Sequence, residues 1–220
     1  SGLEVTETDL GEYIIQLAEE PPSHIVGPAF HKTPEQISEL FLENHDLGDR
    51  ELETPRQMVQ EARGILREKF LAADVGIIGS NALIAEDGRS MLITNEGNGD
   101  LTSTLPKTLI ICTTIEKLLP RPEDATAMLR LLSRSAIGLP TPAYASFYLG
   151  PRREEDLDGP DEFHVVLLDN KRTDIIGTSY QDMLRCMRCG ACMNHCPVYI
   201  GAGGHAYGWV YPGPMGSVLT

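Results

Sequence analysis

The stretch "DVGIIGSNALIAEDGRSMLITNEGN", residues 74–98, decides the fold class. Upstream of it, apolar residues recur at helical spacing; within it they run continuously or alternate. "VGIIG" (75–79) predicts a buried strand, because a continuous apolar run of this length suits a strand covered on both faces. "ALIA" and "SMLIT" flank Asp87-Gly88, the signature of a hairpin turn.

Working outward toward the N-terminus, "TPRQMVQEARGILREKFLAA" (54–73) predicts a helix. Thr54 is its cap, Pro55 its first residue, and Met58, Ala62, Ile65, Leu66 and Phe70 form its stripe. "TPEQISELFLENH" (33–45) uses the same start, with Thr33 capping, Pro34 at N1, and Gln36 closing a capping box. Its apolar face is Ile37, Leu40 and Phe41. The two stretches share a start signal and do not form an internal repeat. Asp9 is placed to cap a helix over "LGEYIIQLAEE" (10–20), which Pro21-Pro22 ends. "EVTETD" (4–9) and "SHIVGP" (23–28) are each expected to form a short strand.

Toward the C-terminus, "TLIICTT" (108–114) predicts another buried strand, with Cys112 as a core residue. "RPEDATAMLRLLSRSAIG" (121–138) predicts a helix closed by Gly138. "ASFYL" (145–149) and "EFHVVLLDN" (162–170) predict strands separated by a polar loop, and "SYQDMLRC" (179–186) a short helix. Buried strands alternating with amphipathic helices imply an α/β core with a largely parallel sheet and one antiparallel hairpin. The glycine-rich tail after residue 197 has little to make a core from and is expected to lie on another surface or to be partly mobile.

The 220 residues carry 18 Lys and Arg against 32 Asp and Glu, a formal charge of -14. That balance argues against a nucleic-acid partner, which needs a basic footprint. No apolar run is long enough to span a bilayer. The chain opens on Ser-Gly and is expected to be a piece of a longer one. Four of its five cysteines fall within residues 186–196. Such clustering is unlike a secreted disulfide framework and indicates a metal site in a reducing, cytoplasmic compartment.

The spacing of Cys186, Cys189, Cys192 and Cys196 is C-x2-C-x2-C-x3-C, with Pro197 following. This is the bacterial-ferredoxin arrangement for a [4Fe-4S] cluster, and in two-cluster proteins its fourth cysteine serves the other cluster. Structural zinc favours two ligand pairs set well apart. No second cysteine run follows residue 197, so at most one cluster is expected in these residues. A second candidate site is the loop "TNEGNGDLTSTLPK" (94–107). Asn95, Glu96, Gly97, Asn98 and Asp100 follow a strand end, where α/β sheets bind ligands. Asn81, at another strand end, could line the same crevice. His24, His31 and Lys32, in "SHIVGPAFHK", are candidates for an anion-binding lip.

"DLGEYIIQLAEEPPSHIVGPAFHKT", "NEGNGDLTSTLPKTLI", "IEKLLP" and "RCMRCGACMNHCPVY…YPGPMGSVLT" together resemble the lactate utilization protein B family, the iron–sulfur subunits of bacterial L-lactate oxidation systems. The resemblance covers essentially the whole chain. It implies a lactate-utilisation domain over residues 1–178, a three-layer α/β/α sandwich of the NagB/RpiA/CoA-transferase-like fold. A ferredoxin-type segment would follow over 179–220. Family members are longer at both ends and carry two [4Fe-4S] clusters; Cys186, Cys189 and Cys192 would hold one and Cys196 would serve the second. The partners implied are a cysteine-rich subunit and a second lactate-utilisation-domain subunit, with an electron acceptor beyond them. The competing expectation is an enzyme of the CoA-transferase or sugar-phosphate-isomerase type with a structural cluster, in which Glu96 would be essential.

Overall fold

The computed structural model describes residues 2–208, 211 and 213–219. Three helices come first: α1 (Leu10–Ala18), α2 (Pro34–Asn44) and α3 (Pro55–Ala72). Each begins where its cap places it. Asp9 Oδ1 accepts from Gly11 N, and Thr33 and Thr54 form capping boxes with Gln36 and Gln57. Their apolar stripes meet in one core of Tyr13, Ile14, Phe41, Leu47, Leu52, Met58, Ala62, Leu66 and Phe70. A polar thread crosses it, in which Tyr13 and Glu61 flank His45 and Arg50 pairs with Glu61.

The strands β1 (Val75–Gly79), β4 (Thr108–Thr114) and β7 (Glu162–Leu168) form a parallel sheet in the order β1-β4-β7. A second, mixed sheet has the order β5-β2-β3-β6, with β2 (Ala82–Ile84), β3 (Ser90–Thr94), β5 (Leu118–Leu119) and β6 (Tyr144–Tyr148). The β2–β3 pair is the hairpin expected around Asp87-Gly88, and Gly88 takes φ +78° to close it. Ile78, Leu109 and Ile111 of the parallel sheet pack with Leu92, Tyr148 and Phe163, which joins the two sheets. Helix α5 (Pro122–Ile137) lays Ala125 on Ala82, Ile84 and Met91, and ends at Gly138 in the left-handed conformation.

Helix α4 (Asn98–Thr104) occupies half of the 94–107 loop and lies against β1. The approach requires glycine at position 76, where a Cβ would stand 2.0 Å from the Thr102 carbonyl oxygen. After a 3-10 turn over Gln181–Arg185, the tail forms the short helices α6 (Ala191–Asn194), α7 (Pro197–Ala202), α8 (Gly204–Tyr207) and α9 (Gly213–Leu219). The described residues of the tail meet the 23–28 segment at Gly204 and the 3-10 turn through α9, and Met215 is buried.

Four expectations are corrected. Residues 4–9 and 23–28 form no strand; the second segment is instead bent around a buried His24. Strand β1 alternates, with Ile77 63% exposed, and Val165 to Leu168 of β7 are all exposed. Continuous apolar runs mark strands here without marking two-sided burial. Cys112 is exposed because alternation in β4 turns it to the uncovered face, in register with Gly79 and Val166. Among the described residues no helix is long and apolar enough to cross a membrane.

Candidate metal centre

The parallel strands β4 and β7 end at Thr114 and Leu168, and charged residues follow each end directly. Glu116 and Lys117 lie in the 3-10 turn after β4, and Arg172 lies four residues beyond β7. The carboxyl ends of parallel strands are where α/β sheets gather their ligands. Here they gather the loop that carries the cysteines. The Glu116 side chain is 0% exposed, with Arg172 Nε 2.9 Å from its Oε2. Thr114 Oγ1 donates to Glu116 Oε1 at 2.6 Å, and Arg188, from between Cys186 and Cys189, donates to the same oxygen. Burial pushes the Glu116 carboxyl upward, but the Thr114 hydroxyl and the two guanidinium groups bring it below the ordinary carboxylate value.

Lys117 is buried too, and its Nζ donates to the Cys186 carbonyl oxygen at 3.4 Å. Burial, helped by the charge on Arg188, lowers its pKa to about 8; Glu116 and the thiols of Cys186 and Cys189 act in the opposite sense. Arg172 and Arg188 thus pair with one carboxylate, and the buried Lys117 adds a third positive charge in reach of its field. An excess of positive charge held away from water is costly unless an anion balances it. Arg188 Nε is also buried without a hydrogen-bond partner among the described residues. A cluster ligated by thiolates would supply both the missing negative charge and acceptor sulfurs, so the residues present fit the group that the cysteine spacing implies.

The loop is shaped to wrap. Arg188 and Gly190 both take positive φ, +60° and +76°. Cys192 sits on α6, and Cys196 is the N-cap residue of α7. Partial burial raises the Cys192 thiol, and the charges of Cys186 and Cys189 raise it further. A single tetrahedral zinc, with Zn–S near ~2.3 Å, would bring its sulfurs to about 3.8 Å of one another. Among the described residues no three of these thiols come within 4.8 Å.

The segment 23–28 is the bed for this loop. His24 Nδ1 accepts from the N–H groups of Val26 and Gly27, so Nε2–H donates to Asn194 Oδ1 at 2.9 Å. A Cβ at Gly190 would stand 2.9 Å from Val26 Cγ2, and one at Gly204 would stand 1.8 Å from the Ser23 carbonyl oxygen. Sequence reasoning passed over Glu116, Lys117, Arg172 and Arg188, and took His24 for part of an anion-binding lip, whereas it is buried and binds Val26, Gly27 and Asn194. The usable signal was charge placed directly after apolar strands, in "TTIEKLL" and "DNKRTD".

The other predicted residues are distributed. Asn81 Oδ1 accepts from Ile93 N at 2.8 Å, and Asn95 Oδ1 from Ala143 N at 3.3 Å. Asp100 Oδ1 accepts from Ser146 Oγ at 2.6 Å and from the Tyr148 hydroxyl at 3.2 Å. Gly97 precedes α4 as its N-cap without a side-chain bond, and Asn98 Oδ1 is buried with no partner among the described residues. Burial and the charge of Asp9 raise the Glu96 carboxyl. His31 and Lys32 both pair with Glu20, at the end of the first helical segment. Clefts of about 490 and 410 Å³ are lined by other residues, Arg50 to Glu61 and Asn170 to Leu219.

Comparison with known proteins places these features. The LUD domain model matches residues 1–168, and the 4Fe-4S binding domain model residues 180–200. Over 220 residues the chain is 51% identical to lactate utilization protein B of Bacillus pumilus (strain SAFR-032) and 50% identical to that of Bacillus subtilis (strain 168). In both cases all of this chain is matched, and it spans 46% of the relative's length. A crystal structure of a DUF162 family protein from Deinococcus radiodurans aligns at a TM-score of 0.33 and 15% identity, covering 46% of this chain and 56% of that one. With a LUD domain over most of its length and a 4Fe-4S motif behind it, the chain belongs to the LUD domain family, and lactate utilization protein B is what it resembles from end to end.

Proposed function

We propose that this chain is the iron–sulfur, electron-transferring part of a cytoplasmic complex that oxidises L-lactate to pyruvate. Its partners would be a cysteine-rich subunit and a second LUD-domain subunit, with its own α/β domain holding a ligand near Asn95–Asp100. One observation carries the reading: a ferredoxin-spaced cysteine loop is seated on buried Glu116 paired with Arg172 and half-buried Arg188, with buried Lys117 donating to the Cys186 carbonyl. Lactate enters through the names of the relatives. Converting its alcohol to a ketone releases two electrons and two protons, so the complex needs a carrier. A bound [4Fe-4S] cluster supplies one-electron transfer. The chain's own residues fix the setting: Arg188 and Lys117 offer positive charge, and Gly190 lets the loop lie on Val26.

Anaerobic reconstitution with iron and sulfide tests the proposal. About four iron and four sulfide per chain are expected, with a visible spectrum that dithionite bleaches. Cys189→Ser should abolish the bleaching while the far-ultraviolet dichroism of the α/β domain stays unchanged. Stoichiometric zinc with no reducible chromophore would overturn the electron-transfer role. If Glu96→Gln alone stopped turnover in the assembled complex, the chemistry would belong to the loop.

A further inference from the structure

A second metal-ligating cluster lies apart from the four cysteines. Glu20, His31 and His205 each present one ligand atom, and these atoms lie within 4.8 Å of one another. Two of the residues flank the 23–28 segment, and the third comes from α8 in the tail. The imidazole rings of His31 and His205 have centroids 4.3 Å apart.

The surrounding hydrogen bonds assign the nitrogens. Ser23, 2% exposed, donates its hydroxyl proton to the Pro28 carbonyl oxygen at 3.1 Å. With that proton on Pro28, the Ser23 oxygen accepts from His31 Nδ1 at 2.7 Å and Nδ1 carries a proton; with it directed to Nδ1 instead, the imidazole proton sits on Nε2, toward Glu20. The opposite nitrogen, Nε2, then faces Glu20 Oε2 at 2.8 Å. A carboxylate can only accept, so a proton or a metal cation has to stand between the two atoms. His205 Nε2 lies 2.8 Å from the Pro21 carbonyl oxygen and must donate to it, which leaves the Nδ1 lone pair free. With Ser23 donating to Pro28, both histidines have one N–H tied to a backbone-anchored acceptor and one nitrogen left to ligate. Histidines that bind metals are oriented in this way. Lys32 binds the other Glu20 oxygen, and the two basic partners hold the carboxylate ionised.

We propose that Glu20, His31 and His205 form a binding site for a first-row divalent cation, zinc being the representative case, with solvent completing its coordination. Two imidazoles and one carboxylate are a recognised three-ligand zinc set, and imidazole nitrogens favour such metals over magnesium or calcium. The metal replaces the proton between His31 and Glu20 and recruits His205 as third ligand. It therefore clasps the tail behind the cysteine loop onto the segment on which that loop rests. The site stands independently of the electron-transfer reading, because none of its ligands is a cysteine.

The test uses protein whose cysteines are already occupied by reconstituted cluster, titrated with Zn2+ and, for spectroscopy, Co2+. One further zinc per chain is expected. Its cobalt form should show nitrogen and oxygen ligation with no sulfur-to-metal charge-transfer band. His205→Ala, a substitution at an exposed position, should abolish the extra site. Ser23→Ala, which removes the partner of His31 together with the hydroxyl's bond to the Pro28 carbonyl, should weaken binding roughly ten- to a hundredfold. Bound zinc should slow proteolysis of the tail after Tyr199 in the wild type but not in the His205 variant. Unchanged zinc stoichiometry in His31→Ala and His205→Ala, or cobalt bands arising from thiolate alone, would overturn the proposal.

Discussion

Glu116 is the residue whose loss should cost most. Among the described residues it is the only carboxylate paired with the arginines beneath the cysteine loop, and removing it leaves Arg172 and Arg188 facing each other. Breaking a buried pair from one side typically costs about 3–5 kcal/mol. Glu116→Ala is expected to lose that much in urea denaturation, and a loss below about 1 kcal/mol would mean that water already screens the arginines. Lys117 acts differently, since its charge stabilises an added electron nearby. Lys117→Met should move the midpoint potential of reconstituted protein to a more negative value in a dye-mediated titration. Far from the cysteines, Glu12 is half-buried beside Asp9, and its carboxyl is pushed up to about 7, chiefly by burial. Folded protein then holds a proton that unfolded protein releases near pH 4.5. Stability should fall as pH rises from about 4.5 to 7, and remain lower above that. Glu12→Gln should remove this slope and gain about 1–3 kcal/mol at pH 8. An unchanged pH profile of thermal unfolding would exclude Glu12 as its source.

At the scale of elements, the legible parts were those encoded within a few residues. Thr33-Pro34 and Thr54-Pro55 fixed two helix starts, and Asp87-Gly88 fixed the hairpin. Thr54→Ala should therefore cost about 1 kcal/mol by removing one cap, read from the denaturation midpoint. The cysteine spacing was local and readable in the same way. The seat was not, because Arg188 meets Glu116 across 72 positions and His24 meets Asn194 across 170. Segment 23–28 was misread for a related reason: its apolar residues looked strand-like, yet their role is to receive a loop almost the full length of the chain away. Gly190 tests that role, since its φ of +76° and its nearness to Val26 both reject a side chain. Gly190→Val should prevent cluster retention while leaving the two sheets folded, and a fully reconstituted variant would mean that the bed yields.

For the whole molecule, the uneven covering of the parallel sheet has the widest consequence. One face packs Ile78, Leu109 and Ile111 against the second sheet, whereas the other leaves Ile77, Cys112, Val166 and Leu168 exposed. Strands β1 and β4, read as buried on both sides by composition, are therefore covered on one, and β7 is exposed on both from Val165 to Leu168. The composition is that of a doubly covered sheet, which is why the sequence misplaced Cys112. That cysteine gives a direct reading of the face, because the other four thiols all belong to the loop at residues 186–196. In protein carrying a reconstituted cluster, a maleimide or disulfide reagent should modify one thiol per chain, at Cys112, at the rate of an accessible cysteine. Cys112→Ser should abolish that reaction without changing the reducible spectrum. A wild-type thiol that reacts only after denaturation would mean that this face is covered in solution, and the exposure of β1 and β7 would have to be revised with it.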